Sequence, residues 1–163
     1  MKKGFIYIIF FSLFYLYLIQ SVKYTFFPIL YNTDVFGKET FSQMIRQINY
    51  NPLSLKLNRE NLLNILLTIP FGFGINFVSK MLSKNMLLTS FIVGFSIETI
   101  QLIMNIILKI SYRTIDINDS IMNLIGVLVG FLAYRIFKNI FVKTVDKLDI
   151  EKAGLIQYVY NQK

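Results

Sequence analysis

Residues 91–108, FIVGFSIETIQLIMNIIL, are long and apolar enough to cross a bilayer, yet they carry Glu98 near their middle. A helix of about 20 apolar residues spans the ~30 Å hydrocarbon layer. A carboxylate at its centre costs on the order of 2.5–3.5 kcal/mol on insertion scales, so the rest of the fold has to offset it. Gln101 and Asn105 follow three and seven residues later, on the same helical face. The pattern predicts one polar stripe, Glu98–Gln101–Asn105, on an otherwise oily helix. It constrains the remaining segments to frame that stripe or to partner it.

Three further apolar blocks supply the frame. Residues 4–22 follow a short basic start at Lys2 and Lys3. They exceed a usual signal-peptide core and no A-x-A-like site follows, so they read as a retained first span. Lys23, Tyr24, Phe26, Phe27 and Pro28 form its interfacial exit. The second span, 60–79, opens with Asn61 and Asn64 and contains Pro70-Phe71-Gly72-Phe73-Gly74. That run predicts a kink or a freed carbonyl that neighbouring polar groups satisfy. Lys80 and Lys84 make a short basic turn into the third span, 86–108. The fourth, 119–141, starts on Asp119, favourable against the helix dipole, and carries Gly126-x-x-x-Gly130. This spacing lets two helices approach closely: it is a packing device, and it also offers a seam for a homo-oligomer.

The expected fold is therefore an all-α integral membrane protein, one domain of 163 residues with a bundle of about four transmembrane helices. In the first outer loop Phe41, Met44, Ile45 and Ile48 recur at helical spacing. They predict a short amphipathic helix, lying on the membrane surface or packing on the span ends, ended by Asn51-Pro52. Residues 142–163 alternate basic, acidic and apolar groups and read as a cytoplasmic tail on the membrane surface or partly disordered. An even number of spans puts both termini on one side, with Lys80, Lys84, Arg135, Lys138, Lys143, Lys147 and Lys152. Lys23, Lys38, Arg46, Lys56, Arg59, Lys109 and Arg113 fall on the other. The balance favours cytoplasmic termini, with the long loop and the connection 109–118 facing outward.

The absences narrow the chemistry. There is no His and no Cys, which excludes thiol catalysis, disulfides, His or Cys metal sites and imidazole acid–base work. The net charge of +8 sits between the apolar blocks, where anionic lipid head groups account for it and nucleic acid is not needed. No metal and no cofactor is expected. Three polar clusters fall at one membrane depth: Asn61 and Asn64; Glu98, Gln101 and Asn105; and Arg113, Asp116, Asp119 and Asn123. Intramembrane ionisable groups mark functional sites by default, and these converge on one outward pocket.

The ordered set Asn64-x5-Pro70-Phe71-Gly72, Glu98-x-x-Gln101 and Arg113-x-x-Asp116-x-x-Asp119-x3-Asn123-x-x-Gly126-x3-Gly130 resembles the VanZ family of small membrane proteins. The likeness covers roughly residues 58–137. It implies a link to low-level resistance to teicoplanin-like lipoglycopeptides without remodelling of D-Ala–D-Ala.

From the residues themselves three readings stand. In the first, Asn64, Glu98, Gln101, Arg113, Asp116, Asp119 and Asn123 bind the head group of a lipid, a lipid-linked cell-wall precursor or a lipoglycopeptide. Arg113 then takes a phosphate or carboxylate, the amides take sugar or amide groups, and the acids take amines or protons. In the second, Glu98, Asp116 and Asp119 are catalytic candidates, the two aspartates holding Mg²⁺ over a phosphate or acting as an acid–base pair. In the third, the polar groups are interhelical glue.

Overall fold

A computed structural model describes residues 3–29, 38–52 and 59–162. In chain order its helices are α1 (Lys3–Phe26), α2 (Phe41–Arg46), α3 (Arg59–Val78), α4 (Lys80–Lys84), α5 (Met86–Leu108), α6 (Ile117–Lys147) and α7 (Gly154–Tyr160). Helices α1, α3, α5 and α6 are each long and apolar enough to cross a membrane, and the chain is an all-α, multi-pass membrane protein. The third span coincides with its expected limits, and the second begins and ends one residue early. The first runs on to Phe26, and the fourth extends at both ends because Asp116 caps it and Val145 is buried near its end. The expectations for Lys2 and for the stretches 30–37 and 53–58 of the long loop, including Lys56, lie outside the described residues.

Helix α6 is the centre of the bundle. It packs along α3 and α5, α1 packs on the far side of α3, and α3 and α5 barely touch. The α3–α6 seam is made by glycine. A Cβ on Gly126 would sit 2.1 Å from the Thr68 hydroxyl, one on Gly130 2.0 Å from the Ile69 carbonyl, and one on Gly72 1.9 Å from the Val127 carbonyl. Backbones this close allow the Thr68 hydroxyl to reach the Asn123 carbonyl at 2.9 Å. The Gly126/Gly130 pair thus serves as the packing device its spacing suggested, joining α3 to α6 within the chain.

Pro70 stands within α3 without ending it. It has no N–H for the Leu66 carbonyl, and from α1 the Tyr17 hydroxyl donates to the next carbonyl, that of Leu67, at 2.7 Å.

The two ends of the bundle are closed differently. At the end holding α7, Phe10 stacks on Phe77 at 4.6 Å and on Tyr158 at 5.3 Å, and Phe77 meets Tyr134 edge-on at 5.2 Å. Such pairs contribute about 0.5–1.5 kcal/mol each beyond area burial. The Tyr158 hydroxyl donates to the Phe77 carbonyl at 2.6 Å, in the last turn of α3 where no helical N–H is left to serve it. This corrects the expectation for residues 142–163, which are neither disordered nor a free tail as far as they are described. They continue α6 to Lys147 and then fold back as α7, because Tyr158 and Val159 give that segment an apolar face that the bundle covers.

At the opposite end α2 is shorter than expected, closing at Gln47 after a capping box in which Gln43 accepts from the Thr40 N–H at 2.7 Å. Met44 is buried and Ile45 and Ile48 are half-buried, while Phe41 is exposed. Helix α2 touches α5, and Met44 is its buried residue.

Candidate functional site

The site starts where α5 stops. Lys109 takes a left-handed conformation (φ 56°) as its C-cap, so the chain turns back over the helix end and the connection to α6 lies along it. The polar stripe of α5 holds that connection and α1 in place. Asn105 Nδ2 donates to the Arg113 carbonyl at 2.7 Å, and the Asp116 N–H donates to Glu98 Oε2 at 3.3 Å. Gln101 Nε2 donates to the Thr25 carbonyl at the end of α1, at 3.2 Å. All three partners are main-chain groups.

The loop 38–52 clamps the same connection from outside. Asn49 pairs with Asp116 in an isolated parallel bridge, its N–H donating to the Ile115 carbonyl and its own carbonyl accepting from Ile117. Asn49 Nδ2 also donates to Asp116 Oδ2 at 3.0 Å. Asn118 Nδ2 reaches the Asn51 carbonyl at 3.1 Å, the Glu39 N–H donates to the Lys109 carbonyl, and the Ser111 hydroxyl donates to the Glu39 carboxylate. Asp116 is the knot of this network. Besides Asn49, its carboxylate accepts from the N–H and Nδ2 of Asn118, an N-cap that serves an orphan donor of α6.

Because α3 and α5 both lean on α6 without packing on each other, a cavity of about 720 Å³ remains between their ends. Asn64, Leu63, Leu66 and Leu67 of α3 form one wall, and Ile97, Glu98 and Gln101 of α5 form the other. Asp119 and Asn123 of α6 form the floor, and Tyr24, Thr25, Tyr112, Arg113, Thr114 and Glu60 close the sides. Glu98, Gln101 and Asn123 are buried, Asp119, Asn64 and Arg113 are half-buried, and Glu60 and Tyr24 are exposed. The Asn64 amide lies beside the Asp119 carboxyl group on this floor. Burial raises the Tyr112 phenol above its ordinary value against the pull of Arg113, and its hydroxyl rests on Met104 Sδ at 3.3 Å.

Six of the seven residues singled out from sequence, Asn64, Glu98, Gln101, Arg113, Asp119 and Asn123, line this one cavity. Asp116 does not; it stands behind the wall as a cap. The proposed Asp116–Asp119 pair is therefore divided between two jobs, and among the described residues no three acids are placed to hold a metal ion together. Sequence reasoning passed over Tyr24, Thr25, Glu60, Tyr112 and Thr114, which reach the cavity only through tertiary packing. It also passed over Asn49, whose partner Asp116 lies sixty-seven residues away. One signal was present for the loop clamp: Asn51, noted only as a helix-ending step before Pro52, offers the carbonyl that Asn118 uses.

No curated protein and no solved structure matches the chain. A family model does, described as VanZ/LLP1 and matching residues 6–138, which includes the four spans up to the middle of α6 and every residue lining the cavity. This chain belongs to the VanZ/LLP1 family.

Proposed function

We propose that this protein binds the head group of a lipid-linked or lipid-tailed envelope molecule in the cavity between α3, α5 and α6, and through that binding contributes to low-level resistance to teicoplanin-like lipoglycopeptides. The observation that carries the reading is the cavity's two-sided lining. One wall is Leu63, Leu66 and Leu67, of which Leu63 and Leu66 are more than half exposed on the lipid-facing surface of α3. Facing it are Glu98, Gln101, Arg113, Asp119 and Asn123. A volume of about 720 Å³ lies within the range of small-ligand sites, roughly 300–1,000 Å³. A lipid needs this arrangement, with polar groups to receive the head and an apolar flank where acyl chains leave.

The cavity opens toward the outer leaflet if both termini are cytoplasmic in a bacterial plasma membrane, the orientation that the charge distribution favours. Lipid-linked cell-wall intermediates and lipoglycopeptides are both presented there. The test is teicoplanin susceptibility in a sensitive Gram-positive host expressing the parent, E98Q or D119N at matched membrane levels. Protection by the parent that both variants lose supports a working cavity. Protection that both variants retain removes the cavity from the mechanism, and no protection by the parent ends the resistance reading.

A further inference from the structure

The cavity lining carries the carboxyl groups of Glu60, Glu98 and Asp119 and the amide of Asn123 against one cation, Arg113. Asn123, one of the residues lining the cavity, is 1% exposed, and its Oδ1 is buried without a hydrogen-bond partner among the described residues. A buried acceptor left unpaired is costly, so this atom calls for a donor from outside the chain. Glu98, Asp119 and Glu60 add three carboxylates to the same lining. Asp119 is close enough to Glu98 and to Glu60 to feel their charge. Among the described residues none of the three is ion-paired; the ion pair recorded joins Lys152 to Asp146 at 2.8 Å, at the far end of α6. Arg113 is the cation in the lining, and it is half-buried where Glu98 and Asn123 are buried.

We propose that the occupant is an aminolipid with a primary ammonium group, whose N–H groups bond Asn123 Oδ1 and the Glu98 and Asp119 carboxylates while its phosphate meets Arg113. This rests on the head-group reading above and names the class of ligand. An ammonium has three donors and no acceptor, the complement of this floor. It also relieves the repulsion among carboxylates that no protein cation neutralises. The guanidinium is a donor fork suited to a phosphate. Buried Glu98 and Asn123 and half-buried Arg113 lining one cavity suit a zwitterion, with acyl chains leaving past Leu63 and Leu66.

The decisive experiment compares head groups on the parent protein, so its outcome does not depend on any variant folding. The detergent-purified full chain is titrated calorimetrically with short-chain phosphatidylethanolamine, phosphatidylcholine and phosphatidylglycerol, and with free phosphoethanolamine. The ethanolamine lipid is expected to bind at least tenfold more tightly than the choline lipid, whose methylated nitrogen has no N–H, and than the glycerol lipid, which has no cation. N123L and E98Q each erase most of that preference. Equal binding of all three lipids by the parent overturns the ammonium assignment but leaves a head-group site. Binding of none overturns both readings. Free phosphoethanolamine binding as tightly as the lipid shows the ligand to be a soluble amine phosphate and overturns the lipid assignment.

Discussion

Helix α6 meets its neighbours in two opposite ways within four turns. From Gly126 to Gly130 it lies so close to α3 that one added carbon would fall about 2 Å from a backbone oxygen or a hydroxyl. From Asp119 to Asn123 it instead forms the floor of about 720 Å³ of empty space. The two regions share a helix and the same partner α3, so neither the element nor its neighbour separates them. Side-chain size and polarity do. Glycines let α3 settle against α6 along the middle of the bundle, whereas Asn64, Asp119 and Asn123 keep polar atoms between the helix ends. Close packing and open space are thus divided along one helix.

The comparison breaks first at the seam. Gly126→Leu is expected to cost about 3 kcal/mol or more, since neither the Thr68 hydroxyl nor the Ile65 backbone has room to yield; loss of a folded monomer in detergent by size-exclusion and thermal unfolding would show it. A variant that folds like the parent would mean the α3–α6 approach is not what holds the bundle. Next comes Asp116→Ala, which removes the α6 cap and the Asn49 bond. It should lower stability by about 1–2 kcal/mol, with Asp116→Asn recovering part of the loss in chemical denaturation. Tyr158→Phe leaves the Phe77 carbonyl without its donor at the other end of the bundle and should cost about 1 kcal/mol in the same assay. The smallest effect sharpens the contrast most. Asn123→Leu replaces a buried acceptor that has no partner, so stability should be unchanged or rise by up to about 1 kcal/mol. A large loss of stability there would make the trough a structural element after all.

Much of this was legible before any coordinates. The three later spans, the stripe Glu98–Gln101–Asn105 and the small-residue seam all follow from spacing on a helix, which is a local property. What those residues do was less legible. Gln101 and Asn105 were expected to face a ligand pocket or other side chains, yet their amides hold main-chain carbonyls of Thr25 and Arg113. Asp116 looked equivalent to Asp119 because three residues separate them on one helical face. The actual helix begins at Ile117, so Asp116 is its cap and points to a different set of partners. The tail's alternating charges suggested a segment on the membrane surface or partly disordered, and only the covering of Tyr158 and Val159 by α1, α3 and α6 made part of it a packed helix.

The sequence by itself determined that this chain crosses a membrane as helices, that two of them approach on glycine, and that acids and amides gather at one end. Each of these depends on neighbours within a few residues, where helical geometry leaves little choice. Only the tertiary structure decided that α3 and α5 stand apart over α6, that the loop at Asn49 locks Asp116 into a cap, and that Glu60 joins Glu98 and Asp119 around one cavity. Those outcomes depend on how close two helices can come, and that is set jointly by side chains distant in sequence, which periodicity along one helix does not record.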